Sequence, residues 1–412
     1  MTPRAHLLSG TFAALAALST AVCLTSDTLA MAGKPLRTSR SVQQRLHQGP
    51  EAMLVGVLKD IAENRLASAQ DQLDRLLEAN PNFRLAQLVK GDLLQARIRP
   101  IATMGDAPGA PADRVADLRD EAKARIQRVQ SPTPNDRIPR NLLKLAPDQK
   151  YAIVVDTARS TLFVYENRDG APRYLADYYI TIGKNGTEKA REGDKRTPLG
   201  VYHVTASLPR TKLTDFYGSG AFPISYPNEW DRRNGRDGHG IWLHGTPSDT
   251  YSRPPRASDG CVVLTNADLV AVSKYLQVGV TPVIIASGVD WVSDGELSGA
   301  RSELEEAVDQ WRKDWESRKT DQYLSHYAPA FSSGDGGLAA WAAQKRQVNA
   351  SKEWVKVRLD GVSLFLYPGP QPMAVTTFTQ DYRSNNLSNV MKKRLYWIRD
   401  GERWKIIQEG AA

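Results

Sequence analysis

The sequence predicts a multidomain protein with an α-helical region first, a β-rich sandwich or barrel second and an α+β domain last. At 412 residues the chain is too long for one ordinary hydrophobic core. Its 41% apolar and 24% charged residues are typical of globular domains and exclude a disordered, collagen-like or polytopic membrane fold. The hydrophobic period changes from helical to strand-like at Tyr151 and back to helical at Ser298, which places the domain boundaries.

Residues 1–32 have the pattern of a cleavable secretory signal peptide. A basic start precedes the apolar stretch Leu7–Leu24, and Ala30-Met31-Ala32 offers small residues where a signal peptidase cleaves. A transmembrane anchor is less consistent because the stretch is short and rich in Ala, Ser and Thr. We therefore expect export to the periplasm, with membrane contact only during export. Cleavage would remove Cys23 and leave Cys261 as the remaining cysteine.

Residues 33–130 are predicted to be helical. Apolar residues recur at helical spacing from Val55 to Leu94, interrupted by an Asn80-Pro81 turn. This pattern resembles one tetratricopeptide (TPR) unit, although a plain helical hairpin fits equally well because stacked repeats generally need about three copies. We expect a spacer or a docking site for a protein partner. Residues 131–147, which begin Ser-Pro-Thr-Pro-Asn, are predicted to be a linker.

Residues 148–288 are predicted to form a β-rich domain with a mostly antiparallel sheet. Short β-branched and aromatic runs are separated by Asn, Asp and Gly turns, which is the pattern of strands joined by tight connections. The predicted strands are Tyr151–Asp156, Thr161–Glu166, Tyr178–Gly183, Gly200–Val204, Gly240–His244, Cys261–Leu264 and Thr281–Ala286, with a helix at Asn266–Tyr275.

Residues 298–412 are predicted to contain helices followed by an antiparallel sheet. Helical spacing runs from Leu304 to Tyr327, and a further helix is predicted near Leu338–Gln347. The predicted strands are Trp354–Leu359, Gly361–Tyr367, Ala374–Tyr382, Lys392–Arg399 and Arg403–Gln408. This order resembles the nuclear-transport-factor-2-like (NTF2-like) or SnoaL-like cone. Such cones serve many functions, so the domain is a second candidate site for a protein partner.

The charge balance argues against a nucleic-acid-binding function. The chain has 54 Lys plus Arg and 46 Asp plus Glu, a net charge of +8 spread without a dense basic run. This excess suits an anionic polymer or a membrane surface equally well. The six His show no pairing with Cys or acids at metal-ligand spacing. We therefore expect no metal and no other cofactor.

Cys261 and His244 are the candidate catalytic pair. A thiol is nucleophilic when it is ionised beside a base and when backbone N–H groups face the developing oxyanion. His244 ends one predicted strand, and Cys261 begins another directly after Gly260. A glycine there would let backbone N–H groups converge on a substrate carbonyl oxygen. An inert, buried Cys261 is the alternative, but these neighbours favour a nucleophile with His244 as base and acid.

These segments resemble the L,D-transpeptidase (YkuD-type) catalytic motif. His244-Gly245-Thr246 is followed by Ser258-Asp259-Gly260-Cys261, with thirteen residues between His244 and Ser258. Upstream, Gly183-Lys184 and Thr197-Pro198-Leu199-Gly200 are similar to two further segments of that family. Together they cover most of residues 148–288. The resemblance implies an exported cysteine acyltransferase that acts on peptidoglycan stem peptides.

The resemblance also implies a role for each motif residue. Cys261 would attack the carbonyl of the third stem residue, expel the terminal D-Ala and form a thioester. His244 would act as base and then as acid, and Ser258 would hold His244 through its backbone or hydroxyl oxygen. Gly260 and Cys261 would supply oxyanion N–H groups. An amine acceptor gives transpeptidation, whereas water gives L,D-carboxypeptidase activity.

Two positions depart from the family pattern and leave that outcome open. Asp259 replaces the usual His before Gly-Cys, and Val263 stands where many members have Arg. Such departures, with an NTF2-like tail, resemble the cell-shape L,D-carboxypeptidases of helical bacteria. A non-catalytic, wall-associated adaptor is the alternative from another functional class. The candidate substrate-binding residues are Gly245, Thr246, Arg256, Asp259 and Tyr217.

Overall fold

The computed structural model describes residues 49–106, 109–132, 136–334 and 336–412. The predicted signal peptide, 1–32, lies outside the described residues, and so does Cys23. The chain divides into two compact units. Among the described residues, the helical unit comprises those up to Ser131 together with Pro247–Pro255, and the larger unit comprises those from Pro132 to Thr246 together with those from Arg256 to Ala412. No helix among the described residues is both long enough and apolar enough to cross a membrane.

The helical unit confirms the helical prediction for the N-terminal region. Its helices are α1 (Pro50–Ala62), α2 (Leu66–Ala79), α3 (Arg84–Gln95) and α4 (Ala112–Gln130). The apolar face of each helix enters one core, in which Leu54, Leu73 and Phe83 are fully buried. The chain turns between α2 and α3 at Asn80, whose backbone N–H donates to the carbonyl of Leu76.

The first part of the larger unit is the predicted β-rich domain. Its strands are β1 (Ile138–Pro139), β2 (Leu142–Lys144), β3 (Tyr151–Asp156), β4 (Thr161–Arg168), β5 (Ala171–Tyr179), β6 (Ile182–Gly183), β7 (Gly200–His203), β8 (Leu208–Pro209), β9 (Gly220–Pro223), β10 (Trp242–His244), β11 (Arg256–Ser258), β12 (Val262–Val263), β13 (Pro282–Ala286) and β14 (Trp291–Val292). Its helices are α5 (Glu229–Arg233) and α6 (Asn266–Ser273).

Two sheets organise this domain. One has the strand order β5-β4-β3-β13-β7, and the other has the order β12-β10-β9-β8. A single apolar core that includes Val155, Leu243 and Ile285 draws residues from both sheets. The expectation of a mostly antiparallel sheet is incomplete, because β13 runs parallel to β3 and β10 parallel to β12. Strand β5 also begins at Ala171, seven residues before the predicted start.

The last part of the larger unit is the predicted α+β domain. Its elements are α7 (Asp294–Glu316), α8 (Thr320–Leu324), β15 (Tyr327–Ser333), β16 (Gly336–Gly337), α9 (Leu338–Ala350), β17 (Val355–Leu366), β18 (Met373–Ser384), β19 (Leu387–Asp400) and β20 (Arg403–Ala411). Tyr327 begins a strand instead of continuing a helix. The two predicted strands at 354–367 are one strand, bent by a bulge between Asp360 and Ser363, where Gly361 has a φ of +62°.

The predicted linker, 131–147, contains two strands of the folded sheets within its described residues, β1 and β2. Strand β1 pairs with β14, and β2 extends the C-terminal sheet, whose order is β16-β15-β20-β19-β18-β17-β2. Leu142 and Leu143 are fully buried. The sequence pattern missed these strands because they are two and three residues long and their partners lie far away along the chain.

Candidate active site

Two parallel strands bring the candidate nucleophile and base together. In the pairing of β10 with β12, Leu243 lies opposite Val262, and His244 lies opposite Val263. Cys261 stands in the bend directly before β12, two residues before the partner of His244, and the alternation of side chains along the strand, continued by that one residue, gives it the face of His244. The sequence could not establish this relation, because strands thirteen or more residues apart can pair in either direction.

His244 is held by the carbonyl of its own neighbour. The ring is buried, with 1% of its surface exposed, and Nδ1 lies 2.7 Å from the Gly245 oxygen. A carbonyl can only accept a hydrogen bond, so Nδ1 carries the proton and Nε2 is the basic nitrogen of the neutral ring. We expected Ser258 to hold His244, and the structure assigns that contact to Gly245.

Ser258 instead braces the turn that carries Cys261. Its hydroxyl donates to the Cys261 carbonyl at 2.7 Å and accepts from the Gly260 N–H at 3.2 Å. This local side-chain-to-backbone bond competes for the Gly260 N–H. We expected the Gly260 N–H to face an oxyanion. In the structure it donates to the Ser258 hydroxyl instead, which corrects that expectation.

Gly260 is required for the shape of this turn. Its φ is +124°, a region that residues with a side chain rarely adopt, and an added Cβ would lie 2.7 Å from the Arg196 carbonyl oxygen. Thr197, which is fully buried, donates to the Gly260 carbonyl at 2.9 Å and accepts from the Gly183 N–H at 2.9 Å. The Gly183 and Thr197 segments of the sequence motif therefore support the turn Ser258–Cys261, called the nucleophile turn below.

Cys261 is partly exposed, and its thiol is hydrogen-bonded in this state. Sγ donates to the Gly240 carbonyl at 3.3 Å. A thiol that donates is protonated, so activation requires the proton to move to a base such as the imidazole on the same face.

Aromatic side chains form a wall beside the imidazole. The Tyr217 ring lies 5.2 Å from the His244 ring and 4.8 Å from the Trp242 ring, measured between centroids. Phe216, which is 45% exposed, lies 5.7 Å from the His244 ring. Burial and the nearby Cys261 raise the pKa of Tyr217, so its phenol stays protonated and can donate a hydrogen bond.

The other candidate substrate-binding residues divide into two groups. Gly245 and Thr246 are buried, and the Thr246 carbonyl accepts from Asn266 Nδ2 at 2.8 Å. They brace the end of β10 instead of facing a substrate, which corrects our expectation. Asp259 and Arg256 are exposed, and Asp259 lies 3.9 Å from Lys195.

The loop before Thr197 is organised around Asp194. Burial alone would raise the pKa of this carboxyl, but hydrogen bonds from Lys189 and from the backbone N–H groups of Ala190, Arg191 and Arg196 lower it to about 2. The Lys189–Asp194 ion pair is nearly buried, with a separation of 2.9 Å. Asp194 thereby holds the loop that leads to Thr197, whose hydroxyl donates to the Gly260 carbonyl.

Sequence reasoning missed several supporting residues of this site. Asn266 links the residues after β10 to the loop before β9, since its Nδ2 donates to the Thr246 carbonyl and its side-chain oxygen accepts from the Ser219 N–H at 2.8 Å. Gly240, Trp242 and Asp194 were also absent from the predicted set. No local signal identifies them, because each acts through a contact made by folding. The described residues contain no cluster of three or more His, Cys, Asp or Glu arranged to hold a metal ion.

Two family models match parts of the chain. Residues 150–285 match the L,D-transpeptidase catalytic domain (YkuD), and residues 303–410 match the Cds6 C-terminal NTF2-like domain. The chain is therefore a multidomain protein with a helical region, a β-rich YkuD domain and a C-terminal NTF2-like domain. None of the curated proteins searched matches the sequence.

Two solved structures are similar to this chain over about two thirds of its length or slightly more. Bd1075 of Bdellovibrio bacteriovorus is 28% identical, with a TM-score of 0.60 over 67% of this chain and 98% of that chain. Pgp2 of Campylobacter jejuni, described as a helical cell shape determining protein, is 24% identical, with a TM-score of 0.58 over 71% of this chain and 99% of that chain. At this identity, the similarity to Pgp2 is a similarity of fold.

Proposed function

We propose that this chain, which carries an L,D-transpeptidase catalytic domain, is an exported cysteine acyltransferase that remodels peptidoglycan by acting on tetrapeptide stems. The YkuD domain supports the peptidoglycan-modifying class of enzyme, and the thioester route is the finer part of the proposal. The observation that supports it is the parallel register of β10 and β12, which pairs His244 with Val263, two residues after Cys261.

The first step is acylation of Cys261. His244 Nε2 takes the thiol proton, and Sγ attacks the carbonyl carbon of the third stem residue. The bond from that carbon to the nitrogen of the terminal D-Ala breaks, and the imidazolium returns its proton to the leaving amine. A thioester remains on Cys261, and free D-Ala departs.

The second step transfers or hydrolyses the acyl group. An acceptor amine attacks the thioester carbon, His244 takes a proton from it, and Cys261 leaves as a thiol with a new amide formed. With water as the acceptor, the product is a tripeptide stem carboxylate. Both outcomes use the same acyl-enzyme, so the acceptor that reaches the thioester decides the reaction.

Acylation of Cys261 is tested with a carbapenem-type electrophilic β-lactam and intact-protein mass spectrometry. We expect one covalent adduct, mapped to Cys261 by peptide analysis, and none on Cys261→Ala. His244→Gln should slow turnover of disaccharide tetrapeptide by at least about 100-fold, because it removes the base. His239→Gln is the matched control, since His239 is 80% exposed in a loop. No adduct, together with no turnover of disaccharide tetrapeptide by either the wild type or Cys261→Ala, would support a non-catalytic adaptor instead.

Hydrolysis is the second candidate function, and two positions near Cys261 in the chain, Val263 and Asp259, favour it. Val263 is buried, with 2% of its surface exposed, at the position where the resemblance leads us to expect Arg. The exposed Asp259 adds a negative charge next to the nucleophile turn. A site without that cation has one group fewer to pair with an acceptor carboxylate. Incubation with disaccharide tetrapeptide decides: tripeptide and D-Ala alone indicate an L,D-carboxypeptidase, and crosslinked dimers indicate a transpeptidase.

The cellular role belongs to the same proposal. The predicted signal peptide supports export to the periplasm, where the stem peptides lie. The likeness to Pgp2 supports a contribution to cell shape. Export is tested with a reporter that is active only outside the cytoplasm. One fusion joins the reporter to residues 1–60, and the other joins it to residues 33–60, which lack the predicted signal peptide. Equal activity of the two fusions would contradict it.

A further inference from the structure

The nine residues that follow Thr246 belong to the helical unit. This segment, Pro247–Pro255, is called the connecting segment below. It begins three residues after His244 and ends six residues before Cys261. It therefore joins the strand that ends in the candidate base to strand β11, which leads into the nucleophile turn.

An aromatic contact anchors the connecting segment. The rings of Tyr251 and Phe83 lie 4.3 Å apart between centroids. Phe83 is fully buried at the start of α3, and the Arg125 guanidinium lies 5.2 Å from its ring. Tyr251 thus packs against the core of the helical unit, which is unusual for a loop residue.

A buried charged network provides a second anchor. The Ser252 hydroxyl donates to Glu121 Oε1 at 2.7 Å, and both residues are buried. The same oxygen accepts from Arg125 Nη2 at 2.8 Å, and Arg125 also pairs with Glu51. Hydrogen bonds to an ionised carboxylate are roughly twice as strong as neutral ones. The network of Glu51, Glu121 and Arg125 therefore holds Ser252 in place.

Backbone hydrogen bonds fix the same segment to the turn between α2 and α3. The Tyr251 N–H donates to the Asn82 carbonyl at 3.3 Å, and Asn82 Nδ2 donates to the Ser248 carbonyl at 3.3 Å. Ring packing, a charged network and backbone bonds converge on this one segment. A loop with these contacts has far fewer conformations than an exposed loop of the same length.

We propose that the helical unit is a positioning element for the reaction, and that Tyr251 and Ser252 are the positioning residues through which it orders the connecting segment between His244 and Cys261. The inference rests on the proposed function. Neither residue takes part in the chemistry. The segment lies in the chain between the ends of β10 and β11, so its release lets those strand ends move and weakens the binding of a stem peptide more than it changes the reactivity of Cys261.

The experiment compares Ser252→Ala with Ser298→Ala in the mature protein. Ser298 is exposed and bonds within its own helix, which makes it a matched control. Three quantities are measured: KM and kcat on disaccharide tetrapeptide, alkylation of Cys261 by iodoacetamide, and chymotrypsin cleavage after Tyr251. We expect Ser252→Ala to raise KM about fivefold or more, with kcat and the alkylation rate within about twofold of wild type, and to speed cleavage after Tyr251. Ser298→Ala should match wild type in all three.

Tyr251 provides an independent pair of variants. Tyr251→Ala removes the ring and should raise KM as Ser252→Ala does, whereas Tyr251→Phe keeps the ring and should restore most of the wild-type KM. This pair decides the matter if Ser252→Ala does not fold, as judged by circular dichroism.

Unchanged KM and unchanged cleavage in Ser252→Ala would overturn the inference, as would a loss of kcat that follows a fall in melting temperature. A wild-type enzyme without activity on tetrapeptide would refute the proposed function. The cleavage rate would then still show whether Ser252 and Tyr251 hold the segment.

Discussion

At the scale of single residues, the site depends on backbone shape more than on the number of reactive side chains. Cys261 follows a glycine whose φ of +124° and tight approach to the Arg196 carbonyl exclude any Cβ. Ser258 closes the turn from the other side through the Cys261 carbonyl. The position of the thiol is therefore set by the backbone conformation of the turn. Small changes in that conformation should reduce activity more than they reduce the stability of the fold.

Gly260→Ala tests this conclusion. The added Cβ would meet the Arg196 oxygen at 2.7 Å, so the turn must shift. We expect turnover to fall by at least about tenfold and the free energy of unfolding to fall by about 1–3 kcal/mol, since the backbone is also strained. Gly279→Ala is the matched control, because its φ is +76° and nothing lies within 4 Å of the added Cβ. Similar activity losses in both variants would mean that positive φ alone, and not the contact with Arg196, explains the effect.

At the scale of elements, the loop between β6 and β7 acts as the support of the nucleophile turn. The carboxylate of Asp194 accepts hydrogen bonds from the Lys189 ammonium and from backbone N–H groups of the loop. The loop continues to Thr197, which donates to the Gly260 carbonyl. The side chain of Asp194 is only 9% exposed. Its lowered pKa is consistent with a carboxylate whose charged form is stabilised by the folded loop.

Asp194→Asn should show this stabilisation in its dependence on pH. A carboxyl whose folded pKa is about 2, against 3.8 unfolded, contributes stability above pH 4 that is lost as the pH falls towards 2. We expect the variant to be roughly 2 kcal/mol less stable than wild type at pH 7, with the difference shrinking between pH 4 and pH 2. Urea denaturation measures both proteins, and Asp290→Asn, at an exposed position, is the control. A difference that stays constant down to pH 2 would contradict the role of the Asp194 charge.

At the scale of the larger unit, the β-rich and NTF2-like domains share one hydrophobic core. Leu142 and Phe163 from the first part of the unit belong to the same cluster as Trp311 and Trp397 from the last part. Polar contacts support this union. The Glu229 carboxylate accepts from Arg394 at 2.7 Å and from the Tyr396 hydroxyl at 2.9 Å. The larger unit should therefore unfold as one cooperative body.

Glu229→Ala tests the coupling between the two domains. Burial alone would raise the pKa of Glu229, but Arg394 and Tyr396 lower it, so the carboxylate is charged. Its removal leaves Arg394, which is only 11% exposed, without its partner. We expect a loss of about 3–5 kcal/mol in the free energy of unfolding of the larger unit, still in one transition.

Scanning calorimetry and near-ultraviolet circular dichroism measure that transition. Glu229→Gln, which keeps an acceptor for Tyr396, should lose less. Asp321→Asn should stay within about 1 kcal/mol, because its pair with Arg346 is exposed. Two separate melting transitions in the wild-type larger unit would show that its domains unfold independently.

The sequence by itself determined the order of the domains and the candidate chemistry. Helical and strand periods record which face of each element is buried, so α1–α4, most strands of the β-rich domain and the C-terminal sheet were predictable. The segments around His244 and Cys261 were recognisable because their residue types are close together along the chain. These features depend on local geometry, which nearby residues dictate.

Only the tertiary structure decided which distant groups meet. It joined Leu142–Lys144 to β17, assigned the His244 Nδ1 contact to Gly245 instead of Ser258, and included Pro247–Pro255 in the helical unit. A hydrophobic period indicates that a residue is buried, but it does not indicate which other residues bury it. Partners more than a hundred residues apart, such as Ser252 and Glu121, are selected by the packing of the whole chain.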